Sequence, residues 1–429
     1  MPREQVQVSG TVAAAPEAVW AVLRDFCGAW HPWVATITPE RDARGALIRA
    51  FTVTGDDIVY REQLTWFSDS DRSLGYRHLE GIAACEAYDA RVTVTGAEGG
   101  AVVSWSAVIR APAARLAAIC EGTRAVYEAG IAALGGLAQT FRAPPEPVRL
   151  PPLPKTQERL IDDLPRLALT TAGAPGPRLC LFLHGIGGGR HNWAPQLAAA
   201  SGVMPAAALD LRGYGDSTLG ARQSTVDDYC DDILRVMREM GAARLVLVGL
   251  SYGSWIATSF AMRYPDLLDG LVLSGGCTGM SEAGPDEREA FRISREVPLD
   301  AGQVPADFAP AVVKVLAGPN ASEAVRQALL ASMAAIPAVT YRDALRCFTN
   351  PLERFDFSRL TMPVLMLTGE HDRLAPPVEI RGVAGRIWDQ APLPDVRFEV
   401  IADAGHVCNV EQPAAYNRAL LDFLDKLPG

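Results

Sequence analysis

The stretch from Arg244 to Arg263, RLVLVGLSYGSWIATSFAMR, decides how the larger part of the chain is read. It opens with a continuous apolar run, passes through Gly249-Leu250-Ser251-Tyr252-Gly253 and goes on in a helical pattern. A strand, a Gly-x-Ser-x-Gly turn and a helix make a strained elbow. The turn is so tight that side chains at the glycine positions would collide. The serine is held at an unusual φ/ψ with its Oγ projecting above the sheet. As a bare pattern Gly-x-Ser-x-Gly is common. Set between LVLV and WIATSFAMRYP it is specific.

A serine hydroxyl is a weak nucleophile until a base takes its proton. In chains built around this elbow the order is serine, acid, histidine. Leu367-Thr368-Gly369-Glu370-His371-Asp372 closes a later strand and supplies an acid. Ala404-Gly405-His406 follows the last strand and supplies a base. Asp372 would orient the imidazole of His406 and stabilise it when protonated. Glu370 and His371 are local rivals, but Asp372 is better placed past the strand end. The plainer readings are a helix N-cap for Asp372 and a surface loop for His406. The oxyanion formed on an attacked carbonyl needs fixed N–H donors. One is expected from Tyr252. The other is expected from His184-Gly185-Ile186-Gly187-Gly188-Gly189, at Ile186 with Gly187 as the alternative. This loop lacks both the lysine of GxxxxGK and the GxGxxG spacing, so it is not read as a phosphate cradle. No cofactor and no metal site are expected.

Around these residues the apolar strands RLCLFLHG, AAALDLRG, ARLVLVGL, DGLVLSGG, PVLMLTG and VRFEVIA alternate with helices. Continuous apolar strands with intervening helices imply a mostly parallel sheet covered on both faces. Val226, Tyr229, Ile233, Met237 and Met240 are spaced for one face of such a helix. From Gly276 to about Asn350 the strand rhythm lapses into helical patterning, as in SEAVRQALLASMAAI, and reads as a helical cap over about 277–350. Residues 157–429 resemble the α/β-hydrolase superfamily, nearest its enol-lactonases, small esterases and carbon–carbon bond hydrolases. The resemblance includes Asp210-Leu211-Arg212-Gly213-Tyr214-Gly215-Asp216-Ser217. There Arg212 is read as a scaffold ion pair and not a substrate clamp. A serine at position 251, where an aspartate would be needed, argues against a haloalkane dehalogenase or an epoxide hydrolase.

The first part of the chain has another grammar. Val6, Val8, Gly10 and Val12 alternate as in a half-buried strand. APEAVWAVLRDF follows with Val19, Trp20, Leu23 and Phe26 at helical spacing. Strand-like runs ALIRAFTV, IVYREQLTWF, LGYRHLE, EAYDARVTV and AVVSWSAVI come next, separated by turn residues. A long helical stretch from Pro112 to about Thr140 carries Leu116, Ile119, Thr123, Val126 or Tyr127, Ile131 and Leu134 along one stripe. This α+β order, with VSGTVAAAPEAVWAVLRDF, AWHPW and VVSWSAVI, resembles the START-like, polyketide-cyclase-like (SRPBCC) superfamily. The resemblance implies a helix-grip fold, a curved antiparallel sheet around a long C-terminal helix, with a cavity for a hydrophobic ligand. Strand parity puts Tyr60, Glu62 and Leu64 on one strand's face, Tyr76 and His78 on another's and Tyr88 on a third's. Glu62 and His78 are an acid–base candidate, with simple hydrogen bonding the stronger reading and a bulge able to shift parity. Trp30, His31 and Trp33 are expected at the cavity mouth, not on a metal.

Between the two lies RAPPEPVRLPPLPKT, Arg142 to Thr156. Domains are therefore set at 1–142 and 157–429, with a proline-rich linker over 143–156. Polyproline II spans about 3.1 Å per residue, so the joint is a stiff spacer. The 429 residues suffice for two cores. A net charge of −10 argues against a nucleic-acid partner. No apolar run is long enough to insert in a membrane, and MPREQVQVSG lacks a signal-peptide core. The eight cysteines show no metal or redox spacing. A cytoplasmic protein with reduced, buried thiols is expected. The leading expectation is a serine hydrolase of an ester, lactone or thioester of a small, largely apolar molecule. The alternatives are carbon–carbon bond hydrolysis, a two-step cyclase and hydrolase, and a non-catalytic ligand-binding protein.

Overall fold

In a computed structural model of the protein, residues 1–138, 155–351 and 354–427 are described. The chain forms two compact units. All of the proline-rich joint but Lys155 and Thr156 lies outside the described residues.

The first unit contains strands β1 (Arg3–Val12), β2 (Val34–Arg41), β3 (Leu47–Val53), β4 (Tyr60–Ser68), β5 (Ser73–Glu80), β6 (Ala87–Ala97) and β7 (Gly100–Arg110). Helix α1 (Pro16–Leu23) follows β1, and α2 (Ala113–Ala138) closes the unit. The sheet order is β1-β7-β6-β5-β4-β3-β2, antiparallel throughout. Inward and outward residues alternate along β6 and β7, the pattern of a sheet with one covered face. Helix α2 packs across β1. Its buried stripe runs Leu116, Ile119, Thr123, Tyr127, Ile131, Leu134, so Tyr127 and not Val126 takes the open position. The core between helix and sheet is aromatic. Trp105 stacks on Tyr127 with ring centroids 4.4 Å apart. The Tyr88 and Tyr127 hydroxyls share a hydrogen bond of 2.7 Å, and Trp105 Nε1 donates to Tyr76 Oη at 3.0 Å.

Strand β2 was not expected from the sequence. It is an edge strand paired only with β3, its burial follows no two-residue alternation, and it carries Pro39, as an edge strand can. Register shifts in the β4–β5 pairing fall between Arg61 and Glu62 and between Leu64 and Trp66. They break simple parity, so that Leu64 and Phe67 both enter the core. Glu62 and His78 are direct cross-strand partners, yet each is engaged elsewhere. Glu62 Oε2 accepts from Arg49 Nε at 2.8 Å, and Arg49 also lies over the rings of Phe26 and Tyr76. His78 Nε2 accepts the Ile82 N–H at 3.1 Å, and burial lowers its proton affinity. His78 Nδ1 is buried without a hydrogen-bond partner among the described residues, whereas His31 uses both ring nitrogens, with Nε2 on the Val126 carbonyl and Nδ1 accepting the Trp33 N–H.

The second unit begins with β8 (Gln157–Ile161) and β9 (Leu167–Ala172), also unexpected from sequence. They form an antiparallel border, β8 on β9 and β9 on β11, in a charged, proline-punctuated segment that hides the strand signal. The strands β10 (Arg178–Leu183), β11 (Ala206–Asp210), β12 (Arg244–Leu250), β13 (Leu268–Ser274) and β14 (Val364–Gly369) are parallel, ordered β14-β13-β12-β10-β11. Their residues are buried almost without a break, as expected of strands covered on both faces. Strand β15 (Val396–Ile401) precedes the histidine loop. Helices α3 (Ala194–Ser201), α4 (Val226–Met240) and α5 (Tyr252–Arg263) link the first strands. Helix α4 starts where Asp228 Oδ2 accepts the Thr225 N–H and ends at left-handed Gly241, φ 65°. Between β13 and β14 stand α6 (Pro285–Asp300), α7 (Pro305–Leu316), α8 (Glu323–Ala334) and α9 (Ala338–Thr349), within the segment read as a cap. Helices α10 (Pro377–Gln390), α11 (Cys408–Glu411) and α12 (Pro413–Leu424) complete the unit. The eight cysteines are all free thiols. Among the described residues no helix is long and apolar enough to cross a membrane.

Removing the Glu62 carboxylate leaves the largely buried Arg49 without its counter-ion. Breaking such a pair from one side costs about 3 to 5 kcal/mol. Glu62→Ala should therefore lower the denaturation midpoint of that unit, followed by tryptophan fluorescence. An unchanged midpoint would contradict the structural role.

Candidate active site

The elbow is built by close approach of main chain to main chain. A Cβ at Gly249 would collide with the Gly253 carbonyl, and one at Gly253 with the Leu183 carbonyl. Between them Ser251 sits at φ 54°, ψ −113°, outside even the left-handed helical well. Its N–H is fixed by the Ser274 carbonyl at 2.7 Å. Helix α5 starts at Tyr252, so the orphan N–H groups of its first turn lie beside the serine.

The predicted base and acid meet. His406 Nδ1 lies 2.8 Å from Asp372 Oδ2, and both side chains are buried. The other carboxylate oxygen, Asp372 Oδ1, accepts the N–H groups of Leu374 and Ala375 at 2.8 and 2.9 Å. Asp372 is not the N-cap of the next helix, a place taken by Pro376; it braces its own loop and holds the imidazole. The rival Glu370 points elsewhere, its Oε2 accepting the Asp403 N–H at 3.0 Å. His371 is tied by its N–H to the Ala404 carbonyl.

The glycine-rich loop turns tightly, with the Gly188 N–H on the Gly185 carbonyl at 3.0 Å. Ile186 and Gly187 occupy the middle of that turn. The N–H groups of Ile186, Gly187 and Tyr252 donate to no acceptor among the described residues. The loop is locked from behind by His184. Burial pushes this imidazole below its usual value, so it stays neutral. It donates from Nδ1 to the Gly185 carbonyl at 2.8 Å and accepts the Leu211 N–H at Nε2. Tyr214 Oη donates to the Ile186 carbonyl at 3.0 Å. Arg212 is buried on Asp232 and the Asp228 carbonyl, away from the cavity, as a scaffold residue.

Ser251, Tyr252, Ile186 and His406 all line one cavity of about 540 Å³. Its far walls come from α6 to α9, through Phe291, Phe308, Met333, Tyr341 and Phe348. Residues 179–413 match the family described as alpha/beta hydrolase fold. The chain belongs to the α/β-hydrolase family. Residues 3–139 match a second family, described as polyketide cyclase / dehydrase and lipid transport.

Among curated α/β-hydrolase relatives is RutD of Enterobacter cloacae, named as a candidate carbamate hydrolase. It is 29% identical over 280 residues, covering 61% of this chain and 97% of its own. An esterase of Thermogutta terrifontis has a similar solved structure, with a TM-score of 0.56, 27% identity and coverage of 63% and 98% of the two chains. The enol-lactonase of Burkholderia xenovorans shares the fold at 20% identity and a TM-score of 0.51, covering 61% and 96%.

One residue of this hydrolase unit gave no sign in the sequence. Glu411, on α11, accepts the Gly405 N–H with Oε1 at 3.0 Å and the Gly318 N–H with Oε2 at 2.8 Å. The His406 N–H in turn donates to the Leu316 carbonyl at 2.7 Å. The end of α7 and the histidine loop are thereby pinned together. Gly318 lies 93 residues from Glu411, so no local pattern could have linked them.

Glu411→Ala leaves two buried N–H groups without acceptors, at about 1 to 3 kcal/mol for each unmet group. The variant should melt earlier and lose turnover. Glu411→Gln, which keeps one acceptor oxygen, should lose less of both. Equal melting temperatures for Glu411→Ala and the parent would rule out the clamp.

Proposed function

We propose that residues 157–429 act as a serine hydrolase on an ester, lactone or thioester of a small molecule with a largely apolar body. The observation that carries this reading is the cavity itself. On one wall it gathers a strained serine, a histidine paired to a buried aspartate, and three backbone N–H groups without acceptors. Membership of a hydrolase family supports it.

Ser251 Oγ attacks the carbonyl carbon while His406 Nε2 takes its proton. Asp372 holds the His406 Nδ1–H, which fixes the tautomer and stabilises the imidazolium. The carbonyl oxygen gains charge and is met by the Tyr252 N–H and by Ile186 N–H, with Gly187 as the alternative. These donors are set by the fold before substrate arrives, so little reorganisation is needed. His406 then protonates the leaving group. A water molecule, deprotonated by the same imidazole, releases the acyl group and restores Ser251. The helical segment 277–350 is the cap that selects substrate, since its side chains line the cavity opposite the serine.

The first unit, residues 1–142, is read as a helix-grip module that binds a hydrophobic ligand. Its family description, which includes lipid transport, supports this. No catalytic role is assigned to Glu62 and His78, because Arg49 holds the Glu62 carboxylate and the Ile82 N–H holds His78 Nε2.

A fluorophosphonate probe should label Ser251 in the full chain, and p-nitrophenyl esters of short acids should be hydrolysed. Ser251→Ala should abolish both. Asp372→Asn should lower kcat by roughly four orders of magnitude with the fold intact, by loss of the correct imidazole tautomer. Labelling without turnover of any ester, lactone or thioester would instead favour carbon–carbon bond cleavage. Turnover that survives Ser251→Ala would sink the proposal.

A further inference from the structure

The walls of the cavity over Ser251 are mostly apolar. Arg295 on α6 and Glu379 on α10 are the only arginine, lysine, aspartate or glutamate residues among those lining it. Arg295 differs from the arginines near it. Arg292, Arg342 and Arg346 all pair with Glu296, and Arg342 also reaches Asp300. Arg295 has no carboxylate partner among the described residues.

What holds Arg295 is neutral. Its guanidinium lies over the Phe291 ring, 3.4 Å from the centroid. Its Nη1 donates to the Phe291 carbonyl and to Ser294 Oγ, both at 3.2 Å. A guanidinium has five N–H donors in a rigid fork. Those on Nε and Nη2 donate to nothing among the described residues. That unused edge matches the two oxygens of a carboxylate. Burial is the main influence on Arg295, and it disfavours the cation, with only the Tyr341 hydroxyl acting against it. A half-buried cation without a counter-ion is costly, and an anionic ligand would offset that cost.

Glu379 makes no ion pair with Arg295 and is not among the groups that act on it. Its carboxyl is raised above the usual carboxylate range by burial first, then by the Asp372 and Glu282 carboxylates. Its surroundings therefore disfavour the ionised form. A single guanidinium among apolar walls suits a planar monoanion better than a phosphate dianion, whose second charge would stay unmatched.

We infer that Arg295 is a specificity residue, and that the molecule bound over Ser251 carries a carboxylate at one end of its apolar body, gripped by Arg295 from the cap. The identity of the reacting carbonyl rests on the hydrolase reading above. The capture of the anion does not.

Calorimetric titration of full-length Ser251→Ala protein tests the inference without turnover. The ligands are glutaric acid monoanilide and its terminal primary amide, an isosteric pair that differs in charge. The acid should bind about tenfold tighter or more. Adding Arg295→Gln should erase that difference by weakening the acid alone, and Arg295→Lys should keep part of it. Unchanged affinity for the amide shows that the cavity has kept its shape. Equal binding of the two ligands, no binding of either, or a preference that outlasts Arg295→Gln overturns the inference. Failure of the hydrolase reading would appear separately, as absence of fluorophosphonate label on Ser251 in protein that retains Arg295.

Discussion

At Gly253 the start of helix α5 presses against the carbonyls of Leu183 and His184, at a distance that admits no side chain. The rest of the site depends on that contact. It brings the end of β10, which carries the glycine-rich loop, against the end of β12, which carries Ser251. Because parallel strands end on the same side of a sheet, β14 delivers Asp372 to that side as well. The order of strands and the absence of side chains at two glycines convert distant sequence into one chemical surface.

The electrostatics of that surface are set by burial more than by charge. His184 is kept neutral and works as a brace, donating on one side and accepting on the other. Asp372 is buried yet fully bonded, with two backbone donors on one oxygen and His406 on the other. Buried carboxylates without such partners are expensive. Here the bonds that satisfy both carboxylate oxygens of Asp372 also aim it. The cavity walls add little polarity, which lets one guanidinium and a few N–H groups decide orientation.

Much of this was legible because the signals are local. The elbow, the acid after β14 and the histidine after β15 each stand beside a strand end within a few residues, so strand recognition was enough to place them. Long-range bonds left no trace. Glu411 reads as an ordinary helix residue until Gly318 and Gly405 are seen around it. Arg295 shares its helix with two other arginines, and what sets it apart is a place on the cavity wall without a carboxylate partner. Edge strands failed for a different reason. β2 and β8 bury so little that neither shows the alternation by which strands are known. In the β4–β5 pairing two register shifts, at Arg61/Glu62 and at Leu64/Trp66, break the two-residue alternation on which parity relies.

The bond from Glu411 to Gly318 bears on how such a site can be altered by grafting. A cap exchanged between related enzymes is usually imagined as a detachable cover. Here Leu316 and Gly318, at the end of α7, carry hydrogen bonds of the histidine loop itself. A foreign cap spliced across this segment would bring new walls and take away a support of His406 in the same stroke. Transplants that leave Leu316 to Gly318 in place, and exchange helices on either side, separate the choice of substrate from the upkeep of the base.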